Sequence, residues 1–144
     1  MSKNWFDELQ VEAEEVAKKA YAPYSKFKVG CAGVSTRGNI YRGCNIESVS
    51  YGLTVCAEMG MLGAYIAGRI PAIRGEKLSK LVVVSNGKLL TPCGRCRELL
   101  YEHAPAAQVL LPGGIVTVEK LLPQPFLTVS SIPEELVENP PFGV

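Results

Sequence analysis

The chain has 144 residues, 47% of them hydrophobic and 20% charged, with 15 basic and 14 acidic side chains giving a formal net charge of +1. That length holds one domain with a real hydrophobic core but not two ordinary ones, and the composition excludes the disordered and fibrous classes. The basic residues are scattered, which argues against a nucleic-acid partner, and no apolar run approaches the roughly 20 residues needed to span a bilayer.

Phe6, Leu9, Ala13, Val16, Ala17 and Ala20 recur at three-four spacing and predict a helix over 4–22. Asn4 is its cap, and Asp7 and Glu8 sit in the electropositive first turn. Ala22 ends it, because a residue before proline avoids helical geometry. A strand is expected over 27–35, turn chemistry at Gly38-Asn39, and the hairpin partner over 40–44. A second helix is expected over 53–68, where Gly60 and Gly63 imply close packing, followed by a loop over 68–75 containing Pro71. Leu81-Val82-Val83-Val84 reads as a strand covered on both faces. A helix over 93–103 follows Pro92, then a short strand over 109–111 and a helical turn over 118–122. Strands alternating with helices point to a layered α/β domain over 1–129. Residues 130–144, with Pro133, Pro140, Pro141 and three glutamates, read as a loosely attached extension.

The amino terminus leads straight into the first amphipathic segment without a signal-peptide apolar region. Five cysteines, an odd set, then favour thiolates serving a metal in a reducing cytoplasm over a disulfide framework.

The chemistry concentrates in Cys56-Ala57-Glu58 and Pro92-Cys93-Gly94-Arg95-Cys96, both expected at helix starts. Cys93 and Cys96 share one face of a first turn, where unpaired N–H groups and the helix dipole stabilise thiolate. With Cys56 they supply three sulfurs to one zinc ion, leaving the open position that marks a catalytic rather than a structural site. His103 lies two helical turns away and is badly placed to close it. Cys31 and Cys44 could complete a four-cysteine cage, but both fall in predicted strands and read better as core. Glu58, two residues from a ligand, can take a proton from water activated at the metal and return it to a substrate.

A ligand, one residue, then Glu, followed later by Pro-Cys-x-x-Cys, is the zinc-deaminase signature. Together with Ala22-Pro23-Tyr24-Ser25-Lys26-Phe27-Lys28-Val29-Gly30, Gly43-Cys44-Asn45-Ile46-Glu47, Ser50-Tyr51-Gly52-Leu53-Thr54-Val55 and Leu121-Leu122-Pro123-Gln124-Pro125-Phe126, the chain resembles the small homotetrameric cytidine deaminases over roughly residues 5–126. The resemblance implies a three-layer α/β/α fold with a mixed central sheet, one Zn2+ per chain, and a tetramer with shared active sites. It implies that Phe27 packs on the pyrimidine, that Asn45 and Glu47 bind the ribose hydroxyls, and that the Ala57 N–H binds the base carbonyl. Phe126 would reach a neighbouring subunit's pocket and Tyr51 would lie at the subunit junction. The implied reaction is hydrolytic deamination of cytidine and deoxycytidine, with Glu58 serving the ring nitrogen and the departing amine.

Two departures stand out. Three thiolates and one zinc sum to −1, and the arginine that often follows the family's glutamate is replaced by Met59. Arg95 or Arg97, flanking Cys96, is expected to compensate that charge. Ser48-Val49 replaces the usual Asn-Ala, which bears on the subunit contact. Competing readings are a relative acting on a modified aminopyrimidine nucleoside such as blasticidin S, a nucleic-acid editing deaminase, and a non-catalytic zinc-binding oligomer. Asn45-Ile46-Glu47, the near-neutral charge and an intact Glu58 argue against these in turn.

Overall fold

The computed structural model of the protein describes residues 3–70 and 75–126. The extension from 130 and the loop residues around Pro71 lie outside them. Helix α1 (Trp5–Ala17) buries Leu9, Ala13 and Ala17, one side chain per turn. It stops short of the expected residue 22 because the chain beyond it is taken up by pairing with a distant segment. The Tyr21 N–H donates to the Asn45 carbonyl at 3.1 Å, and the Glu47 N–H to the Tyr21 carbonyl at 2.8 Å. That tertiary pairing overrides local helix propensity.

Strands β1 (Gly30–Ser35) and β2 (Ile40–Cys44) form an antiparallel hairpin in register from Gly30↔Cys44 to Val34↔Ile40. After helix α2 (Ala57–Gly68) comes β3 (Leu78–Ser85), which pairs antiparallel with β1 and parallel with β5 (Gln108–Leu111). Strand β4 (Lys88–Leu89) folds back on β3 through Asn86-Gly87, whose φ values of 49° and 71° are the positive pair a type I′ turn requires. Helix α3 (Gly94–His103) precedes β5, and β6 (Gly114–Thr117) with the short helix α4 (Val118–Leu121) follows it. The main path of the sheet runs β2-β1-β3-β5-β6, mixed because only the β3–β5 pair is parallel. The short β4, the β5–β6 hairpin and the true ends of α1, α2 and β1 are what the sequence reading did not anticipate.

Alternation along β3 sorts the core into two slabs. Val82 and Val84 pack with Leu9, Ala13, Ala32 and Val34 beneath α1. Leu81 and Val83 pack with Met61, Leu62 and Tyr65 of α2 and with Leu100 of α3. The result is a three-layer α/β/α domain. Burying each of Leu81, Val82, Val83 and Val84 contributes about 1.5–3 kcal/mol relative to exposure, so β3 anchors both layers at once. Two glycines let the layers touch. A Cβ on Gly30 would lie 1.9 Å from the Ala13 carbonyl oxygen of α1, and one on Gly43 2.1 Å from the Met61 nitrogen of α2.

One buried carboxylate ties the far end of α2 to the hairpin. Glu76 accepts from Asn39 Nδ2 and Tyr41 OH, each at 3.0 Å, and from the Ile70 N–H at 2.7 Å. The Asn39 amide first, then the Ser35 hydroxyl and the Ile70 N–H, hold its carboxyl down at about 2.

Candidate active site

Residues 54–56 run extended rather than helical because Val55 and Ile46 exchange N–H···O bonds at 2.9 Å in both directions. A 3-10 turn over Tyr51–Leu53 precedes them. Helix α2 therefore begins at Ala57, with Cys56 as its N-cap, and Cys93 is likewise the N-cap of α3. Neither residue makes a side-chain capping bond, so both sulfurs are free to face another group. Cys96, buried in the first turn of α3, completes the set, and the three Sγ atoms lie within 4.8 Å of one another. Zinc–sulfur bonds of about 2.3 Å place tetrahedral sulfurs about 3.8 Å apart, so this donor set fits one zinc ion after a small contraction. Among the described residues this is the only group of three or more such donors that converge. Cys31 instead sits in the core under α2, where burial first and the Glu58 charge second push its thiol well up. Cys44 ends β2 and takes no part.

The thiols themselves call for a cation. Burial, with the charges of Glu58 and Cys56 behind it, pushes Cys96 up, and burial likewise raises Cys56. For Cys93, burial pushes up, but the Cys96 N–H and the neighbouring thiols outweigh it and leave Cys93 below its ordinary value. Three crowded sulfurs share one site whose full ionisation needs a bound dication.

Glu58 stands in the first turn of α2 and is 5% exposed. Burial raises its carboxyl above the ordinary value, against the opposing pull of its own N–H and the Cys96 thiol. A carboxyl whose neutral form is favoured by burial is suited to accepting a proton and returning it.

The site opens into a cleft of about 320 Å³ lined by Phe27, Asn45, Glu47, Cys56, Ala57, Glu58 and Cys93. Ser25, Val29, Thr54, Val83, Leu90 and Thr91 complete the wall. Of these, Thr91 borders the Pro92-Cys93 motif, a placement that could have flagged it; Val83 and Leu90 read simply as core. Asn45 and Glu47 both face the cleft while Ile46 between them is exposed. Ala57 is the first residue of α2, so its N–H has no acceptor within the helix. Tyr51 and Phe126 do not line this cleft. Tyr51 stacks edge-on against Tyr24, with ring centroids 6.2 Å apart. A second cleft of about 260 Å³ lies between α1 and the β3–β4 turn, lined by Glu14, Lys18, Lys28 and Asn86, away from the cysteines.

Several side chains have framework duties besides. Asn45 donates to the Phe27 carbonyl and accepts the Val29 N–H, both at 2.8 Å. With the Asn45 N–H donating to the Val29 carbonyl at 3.2 Å, these side-chain bonds hold residues 27–29 ahead of β1, which begins at Gly30, and keep Phe27 at the rim. Glu47 takes the N–H groups of Tyr24 and Ser25 on Oε1, at 2.9 and 3.1 Å. The Ser25 hydroxyl first, then the N–H groups of Ser25 and Tyr24, keep its carboxyl below the ordinary value. Arg95 donates to the Thr54 carbonyl at 3.3 Å, and Arg97 to the Pro92 carbonyl at 2.8 Å and the Leu121 carbonyl at 3.1 Å. Among the described residues neither guanidinium donates to a ligand sulfur.

An α/β/α sandwich with three converging cysteine sulfurs and a buried carboxyl beside them defines a zinc-dependent hydrolytic domain. Residues 3–111 match the family described as the cytidine and deoxycytidylate deaminase zinc-binding region. A cytidine deaminase of Mycobacterium tuberculosis (strain CDC 1551 / Oshkosh) is 44% identical over 96 residues, 66% of this chain and 68% of that protein. One of Halalkalibacterium halodurans is 38% identical over 122 residues, 80% and 89% of the two chains. The crystal structure of cytidine deaminase from Mycobacterium leprae superposes with a TM-score of 0.76 at 44% identity, covering 85% of this chain and all of that one. The chain belongs to the cytidine and deoxycytidylate deaminase family.

Proposed function

We propose that the protein hydrolytically deaminates cytidine and deoxycytidine to uridine and deoxyuridine, releasing ammonia. The observation that carries this reading is Glu58, buried two residues from one of three converging sulfurs in a nucleoside-sized cleft. Cys56, Cys93 and Cys96 would hold one zinc, which supplies Lewis acidity to activate water. Glu58 takes a proton from the attacking water and delivers it to ring N3 as a C–O bond forms at C4. It then moves the new hydroxyl's proton to the exocyclic amine, so that the C4–N bond breaks and ammonia leaves. The Ala57 N–H faces the base carbonyl, Phe27 covers the ring, and Glu47 with Asn45 receives the ribose hydroxyls.

The protein works as a homotetramer with shared sites. Val49, Tyr51, Leu53 and Phe126, at 78, 77, 70 and 85% exposure, are too apolar and too open for a finished surface. Tyr51 and Phe126 also stay out of their own chain's cleft, which supports their use by a neighbour. Light scattering on the purified protein checks the assembly, and a monomeric mass would overturn it. Arg95 and Arg97 act on the thiolates through their field rather than through direct bonds; unchanged zinc retention and activity in both alanine variants would remove that role. All five cysteines are free, which supports a reducing cytoplasm, and no described helix is long and apolar enough to cross a membrane.

The deciding experiment follows loss of the cytosine absorbance when the zinc-loaded protein meets cytidine, with Glu58→Ala beside it. Turnover that disappears in the variant while zinc stays bound is expected. A zinc-loaded wild type that leaves both nucleosides untouched would overturn the substrate and turn attention to modified aminopyrimidine nucleosides.

A further inference from the structure

Helix α3 carries two of the three sulfurs, and its next residues reach the other way. Arg97 holds the Pro92 carbonyl at 2.8 Å with Nε and the Leu121 carbonyl at 3.1 Å with Nη1. Glu98, half-buried, accepts the Phe126 N–H on Oε1 at 3.0 Å. Between these two anchors runs Leu122-Pro123-Gln124-Pro125, a strap in which two prolines fix φ and contribute no N–H. Beyond Leu122, the bond to Glu98 is the strap's only hydrogen bond among the described residues. The strap ends in a ring that is 85% exposed and absent from its own cleft. A stiff connector pinned at both ends and carrying one unburied aromatic at its tip presents that aromatic outward.

We propose that Glu98 is a positioning residue for the reaction: its carboxylate pins the Phe126 backbone to the metal-bearing helix and so sets where the Phe126 ring is offered to the cleft of a second copy of this chain. The proposal rests on the deaminase reading and its shared sites. Main-chain anchoring suits the task, because an acceptor on the Phe126 N–H fixes the backbone while leaving the whole ring for the neighbour. Arg97 supplies the complementary anchor. Its hold on the carbonyl next to Cys93 makes the strap and the sulfur-bearing turn move as one body.

The test compares wild type, Glu98→Ala, Glu98→Gln, Phe126→Ala and the Glu98→Ala/Phe126→Ala double variant, all zinc-loaded. Amide exchange by NMR is expected to show Phe126 protected in wild type and unprotected in Glu98→Ala, with zinc content unchanged. KM for cytidine should rise about three- to tenfold in Glu98→Ala, the scale of one partly solvated charge-assisted hydrogen bond, with a smaller change in kcat. Glu98→Gln, which keeps a carbonyl oxygen, should recover most of that loss. In the Phe126→Ala background, Glu98→Ala should add nothing, because there is no ring left to place. Equal exchange of the Phe126 amide with and without Glu98 would overturn the proposal, as would a KM increase that persists without the ring. If the wild type turns over no cytidine, the deaminase reading falls and the positioning role with it, whereas normal turnover with equal Phe126 exchange in wild type and Glu98→Ala overturns the positioning role alone.

Discussion

Replacing Gly43 by alanine tests how closely the sheet governs the chemistry. The new Cβ would lie 2.1 Å from the Met61 nitrogen, 2.4 Å from the Ala57 carbonyl oxygen and 2.6 Å from the Gly60 carbonyl carbon. All three are main-chain atoms of α2, so no rotamer change relieves the overlap. Ordinary contact begins at about 3.5 Å, so β2 and α2 must part by about an ångström. Overpacking of this kind costs about 1–3 kcal/mol, and a rigid backbone neighbour puts it near the upper end. For a chain of this length that lowers Tm by about 10 °C. The part of α2 that must yield includes Ala57, directly between Cys56 and Glu58, so the displacement reaches the proton-transfer geometry. A misplacement of about 1 Å costs on the order of a hundredfold in rate. Gly30→Ala is the control: its Cβ would meet the Ala13 carbonyl oxygen at 1.9 Å, an equal insult to α1, which carries no site residue. Thermal unfolding and kcat/KM for cytidine, measured well below either Tm, give the comparison. Both variants should lose similar stability, and only Gly43→Ala should lose most of its rate. Wild-type turnover in Gly43→Ala, or equal inactivity of both while folded, would refute the reasoning.

Stripping the metal with a chelator should lower Tm by several degrees and zinc should restore it, since a ligand bound only by the folded state stabilises that state. An unchanged Tm in verified zinc-free protein would count against the three-sulfur site. Glu76→Gln tests acid stability: the native carboxyl titrates at about 2 against an ordinary 4.5, so its contribution is present above about pH 4.5 and is lost as pH falls toward 2. Urea midpoints across that window should fall more steeply for wild type than for the variant, and parallel curves would contradict the assignment. Asn45→Ala should weaken the fold as well as nucleoside binding, because the Phe27 carbonyl and Val29 N–H each lose a partner at about 1–3 kcal/mol if left unpaired. A raised KM with an unchanged urea midpoint would confine Asn45 to the substrate.

Much of this arrangement is legible in the chain because it is local. Strand Ile40–Cys44 is found to the residue, and the run Leu81–Val84 announces a strand covered on both faces. The gathering of three sulfurs is legible for the same reason: Cys93 and Cys96 are neighbours in one helical turn, and Cys56 caps another helix. What escapes depends on partners distant in sequence. Residues 18–22 look helical until Asn45 and Ile46 compete for Tyr21, and residues 53–56 look helical until Ile46 pairs with Val55. No spacing rule shows that Asn45 must bridge Phe27 and Val29, or that Glu76 will collect Asn39, Tyr41 and Ile70. The Asn86-Gly87 hairpin is a different kind of miss, since that dipeptide between apolar runs is a strong short-range turn signal.

The placement of the sulfurs also dictates the order of events as the chain is made. Cys56 leaves the ribosome first, and all of α2 and β3 are synthesised before Cys93 and Cys96 emerge. A lone thiol is a poor trap for an ion, so capture waits until the sheet has carried two separate helix starts together. The ion is thus a closing rivet rather than a seed, unlike small metal-nucleated modules that are unfolded without it. Metal-free chains are therefore expected to keep their fold, and adding zinc to chelator-treated protein should restore the site without a refolding step, which far-ultraviolet circular dichroism through the addition would check.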